Sequence, residues 1–199
     1  VTRTTPRGRE LHDGSGEVGM PKTPSPQSLS GLDRRTVAAW AADCAERTLS
    51  LFEQEAPDDP RAREAIARAR AFSRGELSAA GEITRRFVAG RAAASASTPA
   101  GVAAARSAAQ AAGVAHMGAH ALGAAAYAVA AVSASRPQDA AAADHEIDAQ
   151  FELLSTEAAS ALRRLPLLGS NSAGPLGAGL LASGVLGSTI REIQSRLLV

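Results

Sequence analysis

His116 and His120, in the run His116-Met117-Gly118-Ala119-His120, are the one pair of side chains in this sequence spaced for metal chemistry. Residues four apart on an α-helix share a face, so on a helix both imidazoles could reach one ion. The zinc-protease motif needs Glu directly after its first His, and Met117 stands there instead. A third ligand must then come from elsewhere, with Asp43, Glu46 and His145 as the candidates. The alternative is that His116 and His120 pack at a helix crossing and hydrogen-bond to their neighbours. Gly123 and Tyr127 continue the same face, which fits a close helix contact. Cys44, the only cysteine, cannot form an internal disulfide. Its place among Val37, Trp40 and Leu51 at helical spacing predicts a buried structural thiol rather than a nucleophile served by one of the histidines. Trp40 reads as core by the same reasoning.

No glycine-rich phosphate loop, nucleophile elbow or dinucleotide fingerprint occurs, so neither a catalytic residue nor a cofactor is assigned. With 21 basic and 20 acidic residues, the net charge of +1 lacks the electrostatic footprint of a nucleic-acid binder. The arginines have no aromatic residues interleaved to stack bases, so they are expected on a solvated face. Acidic residues are more suggestive. Asp43, Glu46 and Glu53 fall on one predicted helix, Asp58 and Asp59 in the turn after it, and Asp144, Asp148 and Glu152 on a later one. Like charges at helical spacing cost a few tenths of a kcal/mol per pair, and a cationic protein partner would relieve that repulsion.

The elements that must position these groups are helices. Leu, Ile, Val and Phe make up only roughly a fifth of the chain, and Ala supplies most of the apolar content. Such a composition packs by close helix approach over small residues, and aromatic content of 3% with no alternating run gives a sheet little to work with. The first helix is expected from an N-cap at Asp33 to about Glu55, and Pro57-Asp58-Asp59-Pro60 breaks it. The second runs from Pro60 to about Arg74, with Ile66 and Phe72 inward, and Gly75 ends it. Ser78 caps a third, reaching about Ser95, with Ile83 and Phe87 inward. Thr98-Pro99 opens a fourth that Gly113 kinks or divides before Ser133. The last clear helix, about Gln138 to Leu165, carries the stripe Ala143, Ile147, Phe151, Leu154 and Ala158. The prediction is an all-α fold, a five- or six-helix bundle or orthogonal array over residues 33–165.

Residues 1–32 are rich in Pro, Gly, Ser and charge and are expected to form a disordered tail, with Met20 as the natural start. Residues 166–199 are rich in Gly and Leu and are expected to be a flexible or loosely docked tail. The apolar stretch from Ala173 to Ile190 is at the lower length limit for a membrane span, and its glycines and serines argue against one. Without a secretory signal in the first residues, and with one unpaired cysteine, the expected location is the cytoplasm. The Ala-rich faces leave a homodimer open.

Trp40-Ala41-Ala42-Asp43-Cys44-Ala45-Glu46-Arg47, Leu51-Phe52-Glu53, Pro57 through Ile66, and Ala115-His116 through Ala128 together resemble the Imm-5-like immunity proteins of bacteria. The resemblance spans roughly residues 34–165. It implies a helical, non-enzymatic protein that neutralises a cognate protein toxin by binding it. Gly90 departs from the pattern, which leads one to expect a histidine in the third helix, and this weakens a metal site shared with His116 and His120.

Overall fold

The computed structural model describes residues 25–199, without the side chains of residues 83–87. The expected disorder of residues 1–24, the start at Met20, and the inward Ile83 and Phe87 lie outside the described residues. Among the described residues there is no strand, and the fold is all-α. The helices are α1 (Gly31–Glu46), α2 (Leu49–Glu53), α3 (Arg61–Ser73), α4 (Ala79–Gly90), α5 (Pro99–Gly113), α6 (His120–Ser135), α7 (Ala142–Glu152), α8 (Thr156–Leu162) and α9 (Gly184–Leu197). Short 3-10 turns lie at Ala92–Ser95 and Leu180–Ala182.

Helices α5 and α6 form an antiparallel pair at the centre, and α1, α3, α4, α7 and α9 pack around it. This arrangement follows from the many small residues of α6, with Ala121, Ala124, Ala125, Ala126, Ala128 and Ala131 wholly buried. Methyl-sized contacts let neighbouring backbones approach closely. A Cβ added at Gly123 would lie 2.4 Å from Gln110 Oε1, which shows how near α5 comes. Larger side chains fill the gaps between the outer helices, led by Trp40, Phe52, Ile66, Leu122 and Leu162.

Several helix starts fall where the cap residues put them. Ser78 Oγ accepts from Gly81 N–H at 3.3 Å, and Thr98 Oγ1 accepts from Gly101 N–H at 3.1 Å. Two long predicted helices are divided. The first begins earlier, because Ser30 rather than Asp33 is the cap and its Oγ accepts from Asp33 N–H at 3.1 Å, and it breaks between Glu46 and Leu49. The helix expected over Gln138–Leu165 splits into α7 and α8 at Ser155, whose Oγ accepts from Ala158 N–H at 3.1 Å. More helices therefore result than the five or six expected.

Both expected tails contribute ordered packing. Gln27, only 2% exposed, accepts from Leu176 N–H at 2.9 Å and donates to the Ala173 carbonyl at 2.7 Å. The carbonyls of Gln27 and Ser28 accept from the N–H groups of Ala119 and Gly118 at 3.0 and 3.1 Å, fastening the segment to the α5–α6 turn. Residues 166–199, expected as a flexible or loosely docked tail, bury Leu176, Ile190 and Ile193 completely. Their glycines make turns: Gly174 has φ +82° and packs directly on the Gln27 amide. Among the described residues, no helix is long and apolar enough to cross a membrane.

Candidate functional site

The two histidines do not share a helical face. α5 ends at Gly113, His116 lies in the following turn, and His120 is the first residue of α6. Their ring centroids are 6.5 Å apart and tilted by 39°. Gln110 Oε1 accepts from His120 Nδ1 at 2.7 Å, and Gly113 makes room for the ring, since a Cβ there would be 2.9 Å from His120 Cγ. Among the described residues, no three His, Cys, Asp or Glu side chains gather to hold an ion. Of the proposed third ligands, Asp43 and Glu46 face Arg70 and His145 is exposed on α7. His120 is thus packed and hydrogen-bonded where α5 turns into α6, with the His116 ring beside it. The shared face assumed by a spacing of four requires an unbroken helix, which ends here at Gly113, and the partner Gln110 carries no sequence signal.

Cys44 is wholly buried, as its spacing predicts. Burial pushes its thiol well up, and the negative charges of Glu146 and Asp43 push it further. A thiol held protonated in this way is a poor nucleophile. Beside it runs a polar spine across the core. Arg47 Nε and Nη2 donate to the two Glu146 oxygens at 2.9 and 3.0 Å, and Gln150 Nε2 donates to Glu146 Oε1 at 3.0 Å and to the Ala125 carbonyl at 3.2 Å. Trp40 Nε1 donates to the Gln150 carbonyl at 2.9 Å. The spine joins α1, α6 and α7. Its signal in the sequence is the spacing of Glu146 and Gln150, four apart beside Ile147 on the inner stripe.

The acidic residues divide into two groups. Those of α1, α2 and the turn after them meet arginines of α3. Asp43 pairs with Arg70 at 3.0 Å, Glu46 approaches the same guanidinium at 3.8 Å, and Glu53 takes a bidentate bond from Arg63 at 2.7 and 2.6 Å. Burial raises the Asp43 carboxyl, and Arg70 partly opposes that shift. Hydrogen bonds from Arg61 hold the Asp59 carboxyl well below the usual carboxylate range. Only Asp58 of this group is exposed and makes no ion pair among the described residues.

The α7 group faces outward. Asp144, Asp148 and Glu152 are exposed at spacings of four, and Leu153 beside them is 45% exposed. Asp148 pairs with Arg196 of α9, and that guanidinium lies 5.9 Å from the centre of the Phe151 ring. The family model described as Imm-5 like putative immunity protein matches residues 27–157. The chain belongs to this family. The Imm-5 like match takes in every acidic candidate, both histidines and Gln27, and it stops in the first turn of α8, short of the Gln27 partners Ala173 and Leu176. α9 thus lies beyond it, joined to the Imm-5 like region by the ion pair of Asp148. No curated protein and no solved structure matches the chain significantly.

Proposed function

We propose that this Imm-5 like protein neutralises a protein toxin in the cytoplasm by binding it directly, with the outer face of α7 as the contact surface. Membership of an immunity-protein family supports a toxin as partner and favours a non-enzymatic role. The observation that carries the choice of face is the contrast between the two acidic groups. Charges on α1 and α2 are met by arginines of the same chain, whereas on the exposed α7 row only Asp148 is met, by Arg196, and Asp144 and Glu152 on either side of it make no ion pair among the described residues. Like charges four apart repel on an isolated helix, so a basic toxin surface gains from meeting this row. Leu153 adds an apolar contact at its end. Binding of this kind occludes the toxin and needs no catalytic group.

The test is capture of any toxin encoded beside this gene by the full chain and by the double variant Asp144→Lys/Glu152→Lys. The unaltered chain should bind and silence the toxin, and the reversal should weaken binding by about tenfold or more with the thermal melt unchanged. A neighbouring toxin that remains fully active in the presence of the chain would refute the reading.

A further inference from the structure

Leu167 and Leu198 are 58% and 70% exposed, and both line one open cavity of about 320 Å³ beside the outer face of α9. Their positions are fixed by the core side of the same helix. Gln194, which is buried, accepts from Leu168 N–H at 3.0 Å and donates to the Pro166 carbonyl at 2.9 Å, so residues 166–168 are pinned along α9 with a groove between. A smaller cavity shares Leu167, Gln194 and Leu198 and carries the groove on to Leu162 and Leu165. Both walls are therefore leucine.

Charge in the groove is of one sign. Among the described residues no carboxylate lines either cavity, whereas Arg191 lines the larger and Arg163 the smaller. Elsewhere arginines are neutralised: Arg61, Arg63, Arg68 and Arg70 of α3 each meet a carboxylate, and Arg196 meets Asp148 and Glu192. Arg191 and Arg163 form no ion pair among the described residues. Each gives N–H only to a backbone carbonyl, Arg191 to Ala182 at 3.1 Å and Arg163 to Leu197. Ser195 lines the larger cavity one turn on from Arg191, and its hydroxyl makes no hydrogen bond among the described residues. A guanidinium with spare N–H groups and a hydroxyl four residues away on one helix face suit the two oxygens of a carboxylate. We infer that this groove binds an anionic single-chain amphiphile, a fatty-acid carboxylate, with Arg191 and Ser195 holding the head and Leu167, Leu168 and Leu198 flanking the chain. An alkylammonium would meet an unneutralised guanidinium, and an alcohol would leave it without a counter-charge. Small-molecule pockets start at about 300 Å³, which suits a chain of medium length. The groove lies beyond residue 157, where the family match ends, and does not depend on toxin binding.

The experiment is calorimetric titration of the full chain with decanoate below its micelle concentration. Binding should saturate at one molecule per chain, and affinity should rise about twofold or more per methylene from octanoate to laurate. Decylammonium and decanol should bind about tenfold or more weakly than decanoate. Arg191→Ala should weaken decanoate binding about tenfold, and Leu167→Asp should abolish it. Both positions are exposed, so the thermal melt should stay where it is. Asp144→Lys/Glu152→Lys should leave decanoate binding unchanged, which separates this groove from the toxin surface. Absence of saturable binding, equal binding of the amine, or binding that neither groove variant moves would overturn the inference. So would a different occupant in place of decanoate: attachment to anionic phospholipid vesicles, or a dimer in sedimentation, that Leu167→Asp abolishes.

Discussion

Arg47 grips Glu146 through both carboxylate oxygens, at 2.9 and 3.0 Å, and so ties α1 to α7 across 99 residues of chain. The carboxylate is 5% exposed and lies in the same core as Cys44, while the guanidinium keeps one edge in water. Removing one partner of a buried pair costs far more than the pair contributes, because the other charge is left without compensation. Arg47→Ala should therefore destabilise the protein by about 3 kcal/mol. Glu146→Gln should cost less than half of that, since the charge then left without its partner is the Arg47 guanidinium, which water still reaches. Urea unfolding of both variants checks the order, and equal losses would show that the spine is not a buried ion pair in effect.

Glu55 caps α5 from a distance. Its carboxylate accepts from the hydroxyl and the N–H of Thr98 and from the N–H and hydroxyl of Ser97, and these bonds lower its pKa from 4.5 to about 2. A depressed carboxyl contributes stability that is complete above its unfolded value and is lost as pH falls through the folded one. The contribution should thus be intact above pH 4.5 and fade towards about pH 2. Glu55→Gln should lower the melting temperature at neutral pH, and the gap to the unaltered protein should close across that window. A gap that stays constant with pH would assign the effect to packing alone.

Local chemistry was legible in the sequence where a single residue decides it. Thr98 before Pro99 and Ser78 before Ala79 cap their helices as their types require. Ser155 carried the same signal and was overruled by a hydrophobic stripe that runs on past it. The spacing of the histidines places them on one face only if the helix is unbroken, and the turn after Gly113 removes that face. Composition misjudged residues 166–199, where few large apolar side chains are spread among glycines. Leu176, Ile190 and Ile193 are buried by contacts with distant helices that local pattern cannot foresee. Likewise, nothing in the acidic rows themselves distinguished Glu53, which Arg63 meets ten residues on, from Asp144, which stands exposed.

Cys44 offers a clean probe of global unfolding. It is wholly buried and its thiol is pushed well up, first by burial and then by Glu146 and Asp43. Thiolate is the reactive form, so a disulfide reagent should leave the native protein unmodified near neutral pH and titrate one thiol in denaturant. Rapid modification of the native protein would mean that the core around Cys44 opens without global unfolding. Arg47→Ala should raise the modification rate by roughly the fraction by which it raises the unfolded population.

The clamp at Gln27 fixes the C-terminal segment at Ala173 and Leu176. One side chain satisfies both the Ala173 carbonyl and the buried Leu176 N–H, at 2.7 and 2.9 Å, and Gly174 between them lets the amide approach. Gln27→Ala leaves both backbone groups without partners, and stranding a buried polar group costs about 1–3 kcal/mol. Gly174→Ala attacks the same contact from the other side. Its φ of +82° strains any side chain, and its Cβ would fall 2.6 Å from Gln27 Oε1. Each variant should destabilise the protein by about 2 kcal/mol, and the double variant should cost markedly less than the sum, because both remove one interaction. Denaturant unfolding of the two single variants and the double variant measures that coupling, and simple additivity would show that Gln27 and Gly174 act independently.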